Sequence, residues 1–177
     1  RPCIFEYIYF TRPDSLIKNK CAYEYRKNLG SELAKETDVK ADLVVPVPDS
    51  GVPAALGYSE QSKKKFDLGL IRNHYVGRTF IEPTQNIRSL GVKLKLSSTK
   101  TIVKNKSIIL IDDSLVRGTT CHKIVKMLYE SGAKEVHVRI ACPEIKYPDF
   151  YGVDMPTKKE LLSSSKNKNE ICDFLGS

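Results

Sequence analysis

The residues best suited to chemistry lie in IILIDDSLVRGTT, residues 108–120. Four apolar residues run directly into Asp112 and Asp113, and a short turn leads from there into a predicted helix. The start of a helix presents unpaired backbone N–H groups and a positive dipole, which together bind phosphate. The positions that add hydroxyl donors or let the backbone approach closely are Ser114, Gly118, Thr119 and Thr120. We therefore predict that residues 114–120 cradle a phosphate group, with Arg117 either adding charge or holding the loop.

The two aspartates predict a different ligand, because carboxylates repel phosphate. They suit vicinal sugar hydroxyls, which donate hydrogen bonds, and Mg²⁺, which prefers oxygen ligands. A sugar with a 5′-phosphate at one end and a diol with a metal at the other fits the order of the residues. The alternative is purely structural, with Asp113 or Ser114 as a helix N-cap and Asp112 as a turn residue. The motif GxxxxGK[ST] is absent, which argues against an NTPase.

A pattern of alternating strands and helices must position these residues. The pattern predicts an α/β fold with a mostly parallel central sheet flanked by helices. Strands are predicted at 3–10, 42–47, 67–71, 107–111 and 135–141, and helices at 21–36, 53–65, 119–131 and from about Lys158. The apolar spacing in the third helix predicts that Ile124, Val125 and Leu128 face the core and that Gly132 ends it.

Two other segments are candidates for ligand binding. PDSG, residues 48–51, ends a predicted strand just before a helix, so it offers N–H groups to an anion. A plain type I turn is the alternative. Residues 72–100 mix Gly, Pro, Arg, Thr and aromatic residues without a helical period. A long segment of this kind is typical of a lid or binding loop.

Composition narrows the class of protein. The chain has 177 residues, 41% of them apolar, which suffices for one domain with a core. The net charge of +8 fits either an ordinary soluble surface or an anionic partner, which would be phosphorylated metabolites or nucleic acid. Nucleic acid is not favoured, since no basic stripe with interleaved aromatic residues is present. Five cysteines without a CxxC pair favour a reducing compartment, and no apolar run is long enough to predict a membrane partner.

Several of these motifs resemble those of a known enzyme family. ILIDDSLVRGTT resembles the phosphoribosylpyrophosphate (PRPP) motif of type I phosphoribosyltransferases. The whole chain is similar to the transferase part of the glutamine PRPP amidotransferases. The other segments that carry the likeness are CIFEYIYFTRPDS, VPVPDSG, AALGYSEQS, NHYVGRTFIEPTQNIR, VHVRIACP and FYGVDMPTKKEL. The resemblance implies a type I phosphoribosyltransferase fold with a flexible loop or hood. It also implies a Mg²⁺-dependent reaction of PRPP with ammonia that gives 5-phosphoribosylamine and pyrophosphate, the first committed step of purine biosynthesis.

The resemblance assigns binding roles to residues of this chain. Asp112 and Asp113 would bind the ribose 2′- and 3′-hydroxyls, with Mg²⁺ near them and Ser50. The 5′-phosphate would lie in the loop whose binding residues are Ser114, Val116, Arg117, Gly118, Thr119 and Thr120. The pyrophosphate loop would be Asp49, Ser50 and Gly51.

The resemblance also implies a flexible loop over residues 72–90 that closes on PRPP. Arg78 and Arg88 would meet the pyrophosphate charge, and Tyr75 and Ile81 would shield the site or line an ammonia path. Neutral ammonia requires no general base, so none is assigned. His74 departs from the family pattern, where a longer basic residue is usual, and we expect it at the surface. We expect His122 and His137 to be structural.

Further expectations concern the rest of the protein. Both ends look cut, so we expect residues 1–177 to be the transferase domain of a longer protein, without the N-terminal glutaminase domain or the extreme C-terminus. Such a piece would use free ammonia. Cys3 resembles an iron–sulfur ligand of some relatives, but Asp149 stands where a second cysteine is expected, so no cluster is predicted and the other cysteines should be buried. The resemblance further implies inhibition by purine nucleotides, a homo-oligomer, and the cytoplasm or a plastid as compartment.

Three alternatives stay open. The first is a purine-salvage phosphoribosyltransferase, against which the opening segment 3–15 and the segment NHYVGRTF argue. The second is a non-catalytic PRPP-binding regulator that docks nucleic acid. In the third, this chain binds PRPP or purine nucleotides without turnover.

Overall fold

Strands and helices alternate along the chain, as the sequence pattern predicts. A computed structural model describes residues 3–74, 95–149 and 157–177. The strands are β1 (Leu16–Ile17), β2 (Lys20–Cys21), β3 (Leu43–Pro46), β4 (Lys65–Phe66), β5 (Leu70–Arg72), β6 (Leu96–Ser98), β7 (Ser107–Asp112) and β8 (Glu135–Ile140). The helices are α1 (Ala22–Glu36), α2 (Val52–Ser62), α3 (Lys100–Val103), α4 (Thr119–Glu130), α5 (Leu162–Ser165) and α6 (Lys168–Leu175). The loop residues Tyr75, Arg78, Ile81 and Arg88 lie outside the described residues.

The central sheet has four strands in the order β4–β3–β7–β8, and all of its pairs are parallel. Every residue of β3 and β7 is buried, because both faces of these strands are covered. The register places Pro46 beside Ile111, and Asp112 beside Ile140. The carboxyl ends of β3, β7 and β8 therefore meet at one edge, where ligands of open parallel sheets bind. The predicted mostly parallel α/β fold is confirmed.

Alternate residues of β7 pack against different helices, since successive side chains of a strand point to opposite faces. Ile108 and Leu110 belong to one core cluster with the inward residues of α4. Ile109 and Ile111 belong to the other, with residues of α1 and α2. The predicted inward face of α4 is confirmed, since Ile124, Val125 and Leu128 are at most 1% exposed. The helix also ends where Gly132 was predicted to stop it, with a φ of +93° at that glycine.

Helices α1 and α2 are in close backbone contact. A Cβ atom on Gly30 would lie 1.8 Å from the carbonyl oxygen of Ala54. A Cβ atom on Gly57 would lie 1.8 Å from the carbonyl oxygen of Lys27. The Ser31 hydroxyl also donates to the Gly57 carbonyl at 3.2 Å. This packing fixes α2, and so fixes the 48–51 turn from which α2 begins.

The strand predicted at residues 3–10 is wrong, because Glu6–Phe10 form a short π-helical turn. The side chain of Arg26, on α1, is buried against this turn. Its Nε donates to the Tyr7 carbonyl at 2.8 Å, and its Nη2 donates to the Thr11 carbonyl at 2.7 Å. Burial lowers the pKa of Arg26. Contact with one guanidinium thus overrides the local β preference of the sequence.

Other predictions need correction at the ends of the chain and around β5. The single helix predicted from Lys158 is broken into a 3₁₀ turn (Lys158–Glu160), α5 and α6, because Asn167 starts a new helix with a capping box. The strand predicted at 67–71 is displaced to β5, which pairs antiparallel with β6. All five cysteines are free; Cys121 and Cys142 are buried as predicted, but Cys172 is exposed and Cys21 is only half-buried. Among the described helices, none is long and apolar enough to cross a membrane.

Candidate active site

The 48–51 turn packs directly on the end of β7. The Val47 N–H donates to the Ile111 carbonyl at 2.8 Å, which extends the pairing of β3 and β7 past the end of β3. A Cβ atom on Gly51 would lie 2.5 Å from the same carbonyl oxygen. The close approach therefore requires glycine at position 51. It places the turn beside the two aspartates, although the two segments lie far apart in the sequence.

Asp112 and Asp113 form a buried pair at the end of β7, with 9% and 7% of their surface exposed. The Ser50 hydroxyl donates to Asp113 Oδ1 at 3.1 Å. The Ser114 hydroxyl donates to Asp113 Oδ2 at 3.3 Å, and the Asp113 N–H donates to Asp112 Oδ1 at 2.9 Å. The structure thus brings Ser50, Asp112, Asp113 and Ser114 together.

Burial and mutual repulsion set the electrostatics of the pair. Burial raises the pKa of Asp112 well above its usual range, and the neighbouring Asp113 charge raises it further. Burial also raises the pKa of the Cys121 thiol to about 12 and that of the Cys142 thiol to about 11, with smaller contributions from the aspartates. These thiols are therefore protonated and inert near neutral pH. The pair itself favours a ligand that brings hydrogen-bond donors or positive charge.

A cavity of about 230 Å³ lies between Asp112 and the start of α4. It is lined by Asp112 and residues 114–121. The N-cap of α4 is Gly118, whose φ is +73°, and no side chain caps this helix end. The structural alternative in which Asp113 or Ser114 caps the helix is therefore wrong. The first N–H groups of a helix have no intrahelical acceptor, so this end of the cavity can bind an anion.

Contacts from the C-terminal segment hold the 114–120 loop. Arg117 Nε donates to Glu160 Oε1 at 3.2 Å. The Leu162 N–H donates to the Val116 carbonyl at 2.9 Å. A Cβ atom on Gly118 would lie 2.7 Å from Leu162 Cδ2, so close packing as well as the positive φ favours glycine at position 118. Arg117 thus helps to hold the loop through its ion pair with Glu160, and its charge contribution to phosphate binding stays a prediction.

Sequence reasoning missed Glu160 and Leu162 as supports of this loop. One signal was present, since TKKE at 157–160 fits a capping box. Glu160 completes that box by accepting from the Thr157 N–H and hydroxyl at 3.2 and 3.1 Å. These hydrogen bonds and the Arg117 guanidinium lower the pKa of Glu160. Glu160 thus joins the start of the C-terminal segment to the 114–120 loop.

The 48–51 turn leads into α2, whose N-cap is Gly51 and which no side chain caps. Its peptide between Pro48 and Asp49 is cis. The Asp49 carboxylate forms an ion pair with Arg72, in which Asp49 Oδ2 lies 2.5 Å from Arg72 Nη1.

The three histidines lie outside the cluster of Ser50, Asp112, Asp113 and Ser114. His74 and His122 are exposed, and His137 is half-buried on β8.

The oxygen atoms of Ser50, Asp112 and Asp113 suit a hard cation such as Mg²⁺. Within the described ranges, however, no three His, Cys, Asp or Glu side chains are grouped to hold a metal ion by themselves. Mg²⁺ commonly binds through one or two carboxylates and completes its shell with water and substrate phosphates. The buried carboxylates, one with a raised pKa, fit that kind of shared site.

Comparison with known proteins agrees with this geometry. Residues 19–159 match the phosphoribosyl transferase domain family. The chain belongs to this family. It is 58% identical over 164 residues to the amidophosphoribosyltransferase of Rhizobium etli, covering 93% of this chain and 33% of that protein. It is 55% identical over 174 residues to the amidophosphoribosyltransferase of Methanocaldococcus jannaschii, covering 98% of this chain and 37% of that protein.

Solved structures show the same fold. The glutamine PRPP amidotransferase of B. subtilis, solved in complex with ADP and GMP, has a TM-score of 0.89 and 51% identity to this chain. That comparison covers 99% of this chain and 38% of that one. The fold is thus a type I phosphoribosyltransferase fold, as predicted. The chain spans about a third of the length of the curated relatives that it matches.

Proposed function

We propose that residues 1–177 form the phosphoribosyltransferase domain of an amidophosphoribosyltransferase. Its reaction is the attack of ammonia on PRPP, which gives 5-phosphoribosylamine and pyrophosphate and starts purine biosynthesis. The observation that carries the proposal is the convergence of Ser50 with Asp112 and Asp113 beside the cavity of the 114–120 loop. The names of the relatives support the choice of ammonia as acceptor over a purine base.

Each end of PRPP has a candidate partner in this arrangement. The 114–120 loop would bind the 5′-phosphate through the N–H groups at the start of α4 and the hydroxyls of Ser114, Thr119 and Thr120. Asp112 and Asp113 would accept hydrogen bonds from the ribose 2′- and 3′-hydroxyls. The 48–51 turn would bind the pyrophosphate through its backbone N–H groups, of which those of Asp49 and Ser50 have no acceptor within the described residues. The ribose C1 would then lie between the two turns.

Ser50, Asp112 and Asp113 would hold Mg²⁺ together with oxygens of the substrate. Bound there, Mg²⁺ would neutralise the charge of the pyrophosphate as it leaves. The chain's own part is to orient the ribose and to keep the C1–O bond directed at the 48–51 turn. Tyr75, Arg78 and Arg88 keep their proposed catalytic roles of shielding the site and stabilising the leaving group. Ammonia attacks as a neutral molecule, so no side chain needs to remove a proton first.

In the longer protein, the ammonia would come from a glutaminase domain of the same polypeptide. This chain by itself would lack glutaminase activity and would use free ammonia. The protein would act as a homo-oligomer in the cytoplasm or a plastid, and an Fe–S cluster within residues 1–177 is not part of the proposal. A soybean relative, 54% identical over 177 residues, is named as chloroplastic.

A second candidate activity is the binding of purine nucleotides without turnover. The B. subtilis enzyme favours it, because that protein was solved in complex with ADP and GMP. A nucleoside monophosphate also carries a 5′-phosphate and a 2′,3′-diol, so it would fit the 114–120 loop and the aspartate pair. We propose such nucleotides as inhibitors that compete with PRPP.

Calorimetric titration with PRPP tests the proposed site. We expect binding that requires Mg²⁺ and is lost in the double variant Asp112→Asn/Asp113→Asn, because Asn neither carries the charge for the cation nor accepts as strongly from the diol. GMP should displace PRPP from the wild-type chain. Binding of PRPP that is unchanged in the double variant would place the sugar elsewhere.

A further inference from the structure

The ion pair between Arg72 and Asp49 links the end of β5 to the 48–51 turn. Arg72 Nη1 donates to Asp49 Oδ2 at 2.5 Å, across 23 positions of sequence. Both side chains are partly open to solvent, with 42% and 57% of their surface exposed. Arg72 stands at the start of the segment 72–90 that was predicted to close on PRPP, but neither the motifs nor the proposed reaction gives this side chain a role of its own.

A free carboxylate at position 49 would oppose an anion in the turn in two ways. Its charge would repel pyrophosphate directly. Asp side chains in turns also accept hydrogen bonds from nearby backbone N–H groups, so this one could occupy the donors that an anion needs. The Gly51 N–H donates to the Val47 carbonyl and the Val52 N–H to the Asp49 carbonyl, so within the described part of the chain the N–H groups of the turn that remain for an anion are those of Asp49 and Ser50.

The carboxylate is instead held by Arg72, and this contact removes both obstacles. A guanidinium stays charged throughout the physiological pH range, so the pairing does not depend on a titration. The charge of Asp49 is thereby neutralised, and its carboxylate is bonded to the end of β5.

We infer that Arg72 is a positioning residue for the proposed pyrophosphate site, which it serves by holding the Asp49 carboxylate away from the N–H groups of the 48–51 turn. The inference rests on the proposed function and adds to it a residue that acts through Asp49. Arg72 therefore matters for pyrophosphate only as long as position 49 carries a charge.

A double-mutant cycle tests this dependence with the 177-residue chain. The variants are Arg72→Gln, Asp49→Asn and their combination, titrated separately with pyrophosphate and with ribose 5-phosphate in excess MgCl₂. We expect Arg72→Gln to weaken pyrophosphate binding by roughly two- to five-fold, the range of exposed ion pairs. Asp49→Asn should bind pyrophosphate at least as tightly as the wild type. In the Asp49→Asn background, Arg72→Gln should have no further effect.

A matched ion pair on α1 serves as the control. The side chains of Lys35 and Glu32 are also exposed, and Lys35 Nζ lies 2.7 Å from Glu32 Oε1. Lys35→Gln and Glu32→Gln change the net charge as Arg72→Gln and Asp49→Asn do, but they should leave pyrophosphate binding unchanged. Equal effects from both pairs would mean that only net charge matters, which would overturn the inference.

Four other results would also overturn it. In the first, Arg72→Gln lowers pyrophosphate affinity as much in the Asp49→Asn background as it does alone, which would mean that Arg72 contacts the anion itself. In the second, Arg72→Gln lowers the affinity for ribose 5-phosphate as much as the affinity for pyrophosphate, which would indicate a general loss of structure. If the wild-type chain binds ribose 5-phosphate but not pyrophosphate, the inference fails while the sugar site stands. If the wild type binds neither ligand, the proposed function fails as well.

Discussion

The Ser50 hydroxyl donates to Asp113 at 3.1 Å across 63 positions of sequence, and so joins the two turns that follow β3 and β7. This single contact brings together the proposed pyrophosphate turn and the proposed ribose carboxylates. It exists because the two strands are parallel neighbours and end at the same edge of the sheet.

Replacing Ser50 with Ala removes one proposed ligand of Mg²⁺ and leaves Asp113 with one donor fewer. A hydrogen bond to a charged group contributes about 1.5–3 kcal/mol, so Mg²⁺-dependent PRPP affinity should fall at least ten-fold. Titration calorimetry measures this loss. Ser31→Ala is the matched control, because it removes the hydroxyl that donates to Gly57 between α1 and α2. Equal affinity in Ser50→Ala and the wild type would remove Ser50 from the site.

The raised pKa of Asp112 predicts how stability depends on pH. The folded chain holds a proton on Asp112 more tightly than the unfolded chain does. The free energy of unfolding therefore falls as pH rises from the ordinary aspartate value, about 3.9, through the raised pKa of Asp112. Asp112→Asn removes this penalty and keeps an oxygen to accept from the Asp113 N–H.

Without ligand, Asp112→Asn should therefore be more stable than the wild type near neutral pH. We expect a gain in Tm; in a domain of this size, each 1 kcal/mol of added stability raises Tm by roughly 2–4 °C. The gain should shrink toward about pH 4, where the wild-type carboxyl is protonated as well. Calorimetric melting at both pH values measures it. A gain that is equal at both pH values would show that titration of Asp112 is not the cause.

The contact between α1 and α2 predicts that Gly30→Ala is strongly destabilising. The new methyl group would lie 1.8 Å from the Ala54 carbonyl oxygen, which is backbone and cannot rotate away. Overpacking of this kind costs about 1–3 kcal/mol or more. Gly176→Ala is the comparison, since its φ of +74° is strained but its Cβ meets nothing within 4 Å. Urea unfolding should show a larger loss for Gly30→Ala; the reverse order would mean that the helices separate easily.

The bond between Glu160 and Arg117 predicts a selective effect on the sugar phosphate. Glu160→Gln weakens the support of the 114–120 loop, so affinity for ribose 5-phosphate should fall by roughly two- to five-fold. Pyrophosphate affinity should stay unchanged, since the 48–51 turn does not contact Glu160. Glu32→Gln, at another exposed ion pair, is the control. Equal losses for both ligands would argue that Glu160 supports the whole domain rather than this loop.

The sequence predicts the central part of the fold because local pattern there reflects burial. The apolar run at 107–111 is buried most fully as a central strand. The spacing of Ile124, Val125 and Leu128 buries all three side chains only if the segment is a helix with that face toward the core. The helical turn at Glu6–Phe10 could not be predicted in this way, because Arg26 holds it from α1.

The candidate site likewise has a part that the sequence predicts and a part that it does not. Asp112, Asp113 and the 114–120 loop are adjacent in sequence, and a motif covers them. The supports are not adjacent, since Arg72 lies 23 positions from Asp49, and Glu160 lies 43 positions from Arg117. Side-chain pairs at such separations follow from the tertiary fold and leave no periodic signal.

The most direct test of the proposed chemistry is pyrophosphate release from PRPP and Mg²⁺, with ammonium chloride at alkaline pH and without it. The wild-type chain and Asp112→Asn/Asp113→Asn are compared, with Glu32→Gln as a variant outside the site. We expect release by the wild type that depends on ammonia, is kept in Glu32→Gln and is lost in the double variant. Release that persists in the double variant, or no release and no PRPP binding by the wild type, would contradict the assignment of the chemistry to Asp112 and Asp113.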